Sequence, residues 1–414
     1  MAAAVSLAVL VIAIVIANIR KINIGFITLA AAMLLGVIYN LGIDTILSGF
    51  NLTLFLRMLA MQALITAAAQ NGTLTYISAR IKRVCRGSVL KIFPIVLYVL
   101  LLLAELAGFN LYSLMLPVLA AIALAFNMNV LKVCIIGILS MLAGCFSAYS
   151  VPGIMLYGYV TDAGVEIGKW NIPALCIISY TVLFIGAYFF YGWHRSIPTE
   201  IVETESVKAE KQVFLTIIAY AVVVFSNLLF GIDMMISASI SAAVLFILGA
   251  ADPVNVIKEI PYSVLLMLGG TTTLIGVVQS LGGLELFSSA IVKLVNPTLA
   301  PAVTTVLAGV MSIFTSASGV VQPALISLLP HMMDLMPDLS GQSMVIAIAV
   351  GSYAVATGPF DASGAQILAA YDAVYRPTEA GRLKTFNSLV KVMVVILIYQ
   401  SILAFAGFYR IQIF

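Results

Sequence analysis

Gln70 to Arg83 reads QNGTLTYISARIKR, and Gln279 to Lys293 reads QSLGGLELFSSAIVK, about 210 residues later with one residue inserted. Each segment closes an apolar run and opens a polar, Gly-marked turn, and an echo at half the chain length divides the sequence into two related blocks. The longest polar stretch, HRSIPTEIVETESVKAEKQ from His194 to Gln212, lies between the blocks. The chain therefore reads as a first repeat over 1–193, a linker over 194–212 and a second repeat over 213–414.

The solvent of both blocks follows from composition. Hydrophobic residues make up 63% of the 414 positions and charged residues 9%, with a mean hydropathy of +1.15. Soluble chains carry roughly 45–50% apolar and about 25% charged residues, so a water-soluble fold has no way to hide this surface. Runs near the ~20 residues that cross a bilayer recur from Ala2 to Tyr409. The N-terminal MAAAVSLAVLVIAIVIANIRK reads as a first span, because its charges follow the apolar run and no positive segment precedes it. A net charge of +3 gives no basis for a nucleic-acid partner, and the four cysteines, Cys85, Cys134, Cys145 and Cys176, have no metal-binding or disulfide spacing.

The two blocks share one punctuation. Each opens with three spans (Ala2 to Asn18, Ile24 to Leu41 and Leu54 to Gln70; Val213 to Phe230, Met234 to Ala250 and Val264 to Gln279). Next come a long broken block (Leu90 to Phe126; Ala300 to Met333), a Gly-interrupted span (Val130 to Tyr157; Met344 to Tyr371) and a last helix (Ala174 to Tyr191; Leu389 to Tyr409). If each broken block is a re-entrant helical hairpin, each half has about five transmembrane helices. An odd number inverts the second half relative to the first. The predicted class is an all-α polytopic membrane protein with two inverted-topology repeats, each with one re-entrant hairpin. Charge placement agrees with the inversion: with both termini outside, sixteen basic residues fall on the cytoplasmic side. Arg57, Lys169, Lys293 and Arg410 fall opposite, which accounts for all 20. This parity makes the 194–212 linker cytoplasmic.

Non-helical backbone is tolerated at membrane depth only where protein buries it or it lines a cavity. The polar breaks are therefore the candidate site. The hairpin tips are AGFNLYSLMLP (Ala107 to Pro117) and FTSASGVVQP (Phe314 to Pro323), which offer Asn110 in the first half and Thr315, Ser316 and Ser318 in the second. The interrupted spans contain GCFSAYSVPG (Gly144 to Gly153), with Ser147 and Ser150, and TGPFDASGA (Thr357 to Ala365), with Thr357, Asp361 and Ser363. Matching Phe146 to Phe360 sets Ser147 opposite Asp361. Free N–H groups at half-helix starts suit an anion, and hydroxyls add hydrogen bonds, so an anion can be held without arginine. Asp361 is a carboxylate at mid-span depth, where an unpartnered charge costs roughly 2.5–3.5 kcal/mol on insertion scales, and it reads as cation ligand or proton carrier, or as the N-cap of the helix that resumes after Pro359. A lone Ser312 and the GGTTT run from Gly269 to Thr273 read as helix packing. Glu105 faces either a cavity or the protein interior.

The AAAQNGTL segment (Ala67 to Leu74), GCFSAYSVPG, TSASG and GPFDASGA resemble the ion transporter superfamily of secondary carriers. Among these the chain is similar to the MatC-type dicarboxylate carriers and, more remotely, to the divalent-anion/sodium symporters. The resemblance implies an elevator-type carrier, usually a homodimer, with a mobile domain that holds two hairpins and two broken helices. The symporters' Ser-Asn-Thr tips are only partly kept here, since Asn110 lacks flanking Ser and Thr, and Asp361 stands where Ser-Pro-x-Ser-Thr is usual. The combined expectation is a multi-pass plasma-membrane transporter of a small organic anion, a dicarboxylate by preference. Na+ or H+ is the coupling ion, and no other cofactor or catalytic residue is expected. A channel would need polar residues along a path and an enzyme a nucleophile or metal set, and neither pattern is present.

Overall fold

Capping side chains punctuate the chain, and six of them pair between the halves at a nearly constant offset. Asn23 and Asp233 accept from Gly25 N and Met235 N. Asn129 and Ser340 accept from Lys132 N and Ser343 N. Ser150 and Asp361 accept from Gly153 N and Ser363 N. Short polar side chains at these positions satisfy amides that hydrocarbon would leave bare, so the same interruptions recur in both halves.

The computed structural model describes residues 1–20, 22–73, 75–76, 92–109, 119, 123, 128–168, 170–193, 210–260, 262–293 and 295–413. In the first half the helices are α1 (Ala2–Arg20), α2 (Ile24–Ile38), α3 (Ile43–Ser48), α4 (Leu52–Gln70), α5 (Phe93–Leu106), α6 (Val130–Gly144), α7 (Val151–Asp162) and α8 (Asn171–Phe190). The second half runs α9 (Lys211–Phe230), α10 (Met234–Ile247), α11 (Pro253–Glu259), α12 (Tyr262–Ser280), α13 (Gly283–Val292) and α14 (Ala300–Phe314). A π-helical turn (Ala317–Val321), α15 (Gln322–Ile326), α16 (Leu329–Leu335), α17 (Gly341–Ala354), α18 (Ala362–Tyr375) and α19 (Glu379–Phe405) complete it. The fold is all-helical, with no strand among the described residues.

Packing repeats with the element order. The contact of α2 with α12 is mirrored by that of α10 with α4, and that of α3 with α12 by that of α11 with α4. Likewise α5 packs on α6 as α14 packs on α17, and α6 on α8 as α17 on α19. The echoed segments begin at the turns after α4 and α12. Gly72 and Gly282 take φ of +78° and +77° there, a region open to glycine at little cost, and α12 and α13 meet at 82° across the second turn. Glycines also set the α2–α12 crossing: a Cβ at Gly270 would collide with the Gly25 carbonyl, and one at Gly25 with that of Leu266. The hydroxyls of Thr271, Thr272 and Thr273 bond back to the carbonyls of Met267, Leu268 and Gly269, so the GGTTT run serves packing, as its sequence suggests.

By length and composition α4, α8 and α19 can each cross a bilayer alone among the described residues, and α12 with α13 forms one bent pair. The shorter apolar helices include the pieces on either side of the breaks. Large apolar side chains remain exposed on the outward faces, Phe190, Ile247 and Val37 among them, as a lipid-facing surface requires. The Arg57–Asp233 ion pair, 2.6 Å, ties α4 of the first half to the start of α10 in the second.

Candidate functional site

The two interrupted spans make the same turn. In the first, Ser147 N donates to Gly144 O, Ser150 N to Ser147 O and Ile154 N to Ser150 O. In the second, Gly358 N donates to Val355 O, Asp361 N to Gly358 O and Ala365 N to Asp361 O. Each residue is displaced by 211 positions, and the caps share their backbone angles (Ser150 φ −80°, ψ 153°; Asp361 φ −90°, ψ 155°). Backbone geometry thus sets Ser150, not Ser147, opposite Asp361, and Gly358 opposite Ser147. The Phe146–Phe360 match fails because chain direction after each break is fixed by the cap, whereas an aromatic neighbour is free to shift.

The first break is closed on itself. Ser147 Oγ donates to Leu106 O at 3.1 Å and accepts from Tyr149 N and Ser150 N at 3.3 and 3.2 Å. Ser150 Oγ donates to the carbonyls of Cys145 and Ser147 and accepts from Gly153 N. Both serines are buried and line neither of the cavities below. Asn110 lies outside the described residues. Glu105, on the last turn of α5, is buried.

The second break opens onto a cavity of about 310 Å³. Its wall joins Thr315 and Ser316 from the second tip, Phe360 and Asp361 from the break, Ser312 to Phe314 from the end of α14, and Ala17, Ile22 and Ile24 from the first two helices. Thr315 is extended (φ −142°, ψ 173°) and ends α14, while Ser316 Oγ caps the π turn through Gly319 N at 3.1 Å. The starts of two helical segments, at Ser316 and Asp361, therefore meet at one space. Among the described residues Asp361 is its only ionisable lining residue. Ser312, expected from sequence to serve packing, borders this space, and its hydroxyl is buried with no hydrogen-bond partner among the described residues. Sequence does not place it at the edge of a cavity, because a serine on an apolar helix looks the same in either position.

Three other expected residues surround the break. Thr357 is fully buried and its hydroxyl has no partner among the described residues. Ser363 contributes its amide to Asp361 Oδ1 at 2.9 Å. Ser318 lends its carbonyl to the Tyr159 hydroxyl, 2.8 Å, and its side chain lies beside Tyr353. Tyr353 in turn meets Phe146 edge to face, centroids 5.1 Å apart, which joins the two breaks. Neither tyrosine is singled out by the sequence, since aromatics in apolar helices carry no local mark of function. Among the described residues no group of His, Cys, Asp and Glu is placed to hold a metal ion.

An all-helical, strongly apolar chain whose second break opens onto such a cavity has the build of an integral membrane protein. The chain belongs to the citrate transporter family (CitMHS), whose pattern matches residues 9–351. That match takes in the first break and the second tip and stops short of Thr357, Asp361 and Ser363. A search of curated proteins finds no match to the sequence. Among solved structures the fold is similar to that of the YdaH transporter of Alcanivorax borkumensis, described as having an unusual topology. The TM-score is 0.58 at 14% identity, over 90% of this chain and 89% of that one.

Proposed function

We propose that the protein is a secondary active transporter of citrate or a related di- or tricarboxylate, working by elevator-type alternating access and coupled to Na+ or H+. In this reading the halves 1–193 and 213–414 are inverted repeats, the 194–212 linker is cytoplasmic, and the functional unit is a homodimer in the plasma membrane. The observation that carries it is the meeting of Thr315, Ser316 and Asp361 at one cavity, where two helical segments begin. Its volume lies at the small end of the roughly 300–1,000 Å³ range of small-molecule pockets.

Charge decides why coupling is part of the proposal. Among the described residues no basic side chain lines the cavity, and an ionised Asp361 about 5 Å from a substrate carboxylate would oppose it by about 3 kcal/mol at an effective dielectric of 20. A proton or cation at Asp361 removes that penalty, so the anion and the coupling ion enter together. The face of the cavity built by the first two helices and the turn between them, Ala17, Ile22 and Ile24, is apolar, which suits a surface that slides. Uptake of labelled citrate, malate and succinate into proteoliposomes, with Na+ and pH gradients imposed separately, tests the proposal. Accumulation driven by one gradient is the expected result. Equilibration without accumulation under either gradient would overturn it.

A further inference from the structure

A second and larger space, about 660 Å³, lies behind the tip. Its wall includes Asn51, Tyr159, Asp162, Gln279, Pro323 and Ser327. Among the described residues Asp162 is its only carboxylate, and no basic residue lines it. Asn51 holds that carboxylate: its amide nitrogen donates to Asp162 while its oxygen caps α4 through Leu54 N at 2.8 Å. Arg57, the nearest cation along α4, is bound to Asp233, so Asp162 is left with an uncharged amide as its hydrogen-bond partner.

The two spaces are neighbours across one strip of backbone. Ser316 lines the first, Pro323 the second, and between them Ser318 O takes the hydroxyl of Tyr159, which itself lines the second. Tyr159 and Asp162 are three apart on α7 and share a face. Along α12, Gly25 beside the first space packs at Leu266, and Gly49 in the wall of the second packs at Gly276. Ten residues of helix place these levels about 15 Å apart. With the topology proposed above they open toward opposite sides of the membrane.

We infer that the larger space is a vestibule that gathers the coupling cation, with Asp162 as its docking carboxylate, on the far side of the tip from Asp361. Asp162 and the Arg57–Asp233 pair beside it sum to one negative charge, and a cavity with that balance raises the local concentration of small cations. The inference rests on the coupled-transport reading and adds to it a second cation station. Among the described residues the charged or titratable groups that bear on Asp162 are Arg57 from α4, itself bound to Asp233, and Tyr159 from its own helix; the π turn and α15 bring none, and α16 lends this wall Pro330.

The test is the cation dependence of citrate uptake in proteoliposomes, with Na+ varied against choline at fixed pH and, separately, external pH varied without Na+. The two arms tell a metal cation from a proton. Asp162→Asn keeps an oxygen for the Asn51 amide, so folding should hold. Its half-saturating concentration of the driving cation should rise about three- to tenfold, with the citrate KM and the maximal rate at saturating cation retained. Ser48→Lys, which puts a positive charge in the same wall, should shift it the same way. An unchanged half-saturation in both variants overturns the vestibule and leaves the coupled carrier standing. Uptake by the unaltered protein that responds to neither cation overturns the coupled carrier, and the vestibule with it.

Discussion

The break between α6 and α7 and the break between α17 and α18 have the same backbone and opposite contents. In the first, two serine hydroxyls are spent on the turn and on the end of α5. In the second, Gly358 and Asp361 occupy the matching places, the Thr357 hydroxyl has no partner among the described residues, and Phe360 is 52% exposed at a cavity. One turn is therefore closed on itself in one half and forms the edge of a cavity in the other. Inverted repeats make the fold symmetric, but they do not require the chemistry to be.

The comparison predicts first that both breaks depend equally on glycine. A Cβ at Gly153 would overlap the carbonyl oxygen of Ser147, and one at Gly364 that of Gly358. Backbone on both sides leaves no flexible side chain to yield, so the cost should reach or exceed the roughly 1–3 kcal/mol usual for overpacking. Gly153→Ala and Gly364→Ala should each abolish folded yield, or lower the thermal midpoint in detergent by more than Asp361→Asn, Ser147→Ala or Thr357→Val does. A normal midpoint for either variant would mean that its turn is not the one described.

The halves should part company at their caps. Asp361→Asn retains an N-cap of nearly equal quality and removes the charge, so the protein should fold and still exchange citrate across liposomes. It should no longer concentrate citrate against a gradient, because nothing at the cavity then carries the coupling ion. Ser150→Asn is the control at the matching position and should leave coupling intact. Full accumulation by Asp361→Asn would reduce Asp361 to a cap and make the two breaks alike.

The sequence made some of this legible and not the rest, for physical reasons. Caps and turn glycines are local chemistry, so Asp361 as an N-cap and the turns at Gly72 and Gly282 could be read in one dimension, and Asn23 and Ser150 carry the same cap chemistry. The break after α14 could be read for the same reason, through Thr315 and Ser316 beside Gly319. Orientation around a helix is not local: Ser312 against the cavity and Ser147 turned inward look alike in an apolar run. The register between the breaks goes astray on Phe146 and Phe360 when side-chain type is weighed above cap geometry. Tyr159 and Tyr353, which join tip to break, are invisible in sequence because their partners lie some 160 and 35 residues away.

Serine to alanine sharpens the comparison at smaller scale. If Ser316 bonds a substrate carboxylate, Ser316→Ala should weaken citrate binding by about 1.5–3 kcal/mol, roughly ten- to a hundredfold, as for a hydrogen bond to a charged group. Ser147→Ala should leave affinity alone and lower stability by about 1–2 kcal/mol, since its hydroxyl serves Leu106 O and the Tyr149 amide, while Ser150 N keeps its bond to Ser147 O. Isothermal titration and thermal unfolding of the two variants measure both numbers. An affinity loss at Ser147 equal to that at Ser316 would place substrate at both breaks and restore the symmetry.

The smallest expected effect is at Thr357, and it has a sign that separates two roles. Its hydroxyl is fully buried with no partner among the described residues, and leaving such a group unsatisfied costs about 1–3 kcal/mol. Valine fills the same volume without the hydroxyl. In the protein without substrate, Thr357→Val should therefore be neutral or stabilising by up to about 1 kcal/mol, seen as an unchanged or slightly raised thermal midpoint. If the hydroxyl waits for a carboxylate, the same variant should gain less stability than the unaltered protein when citrate is added, because one bond to the ligand is missing. If it serves only packing, the citrate-induced rise will be identical in the two proteins. Thr357 would then join the closed joint in character, and the site would end at Asp361.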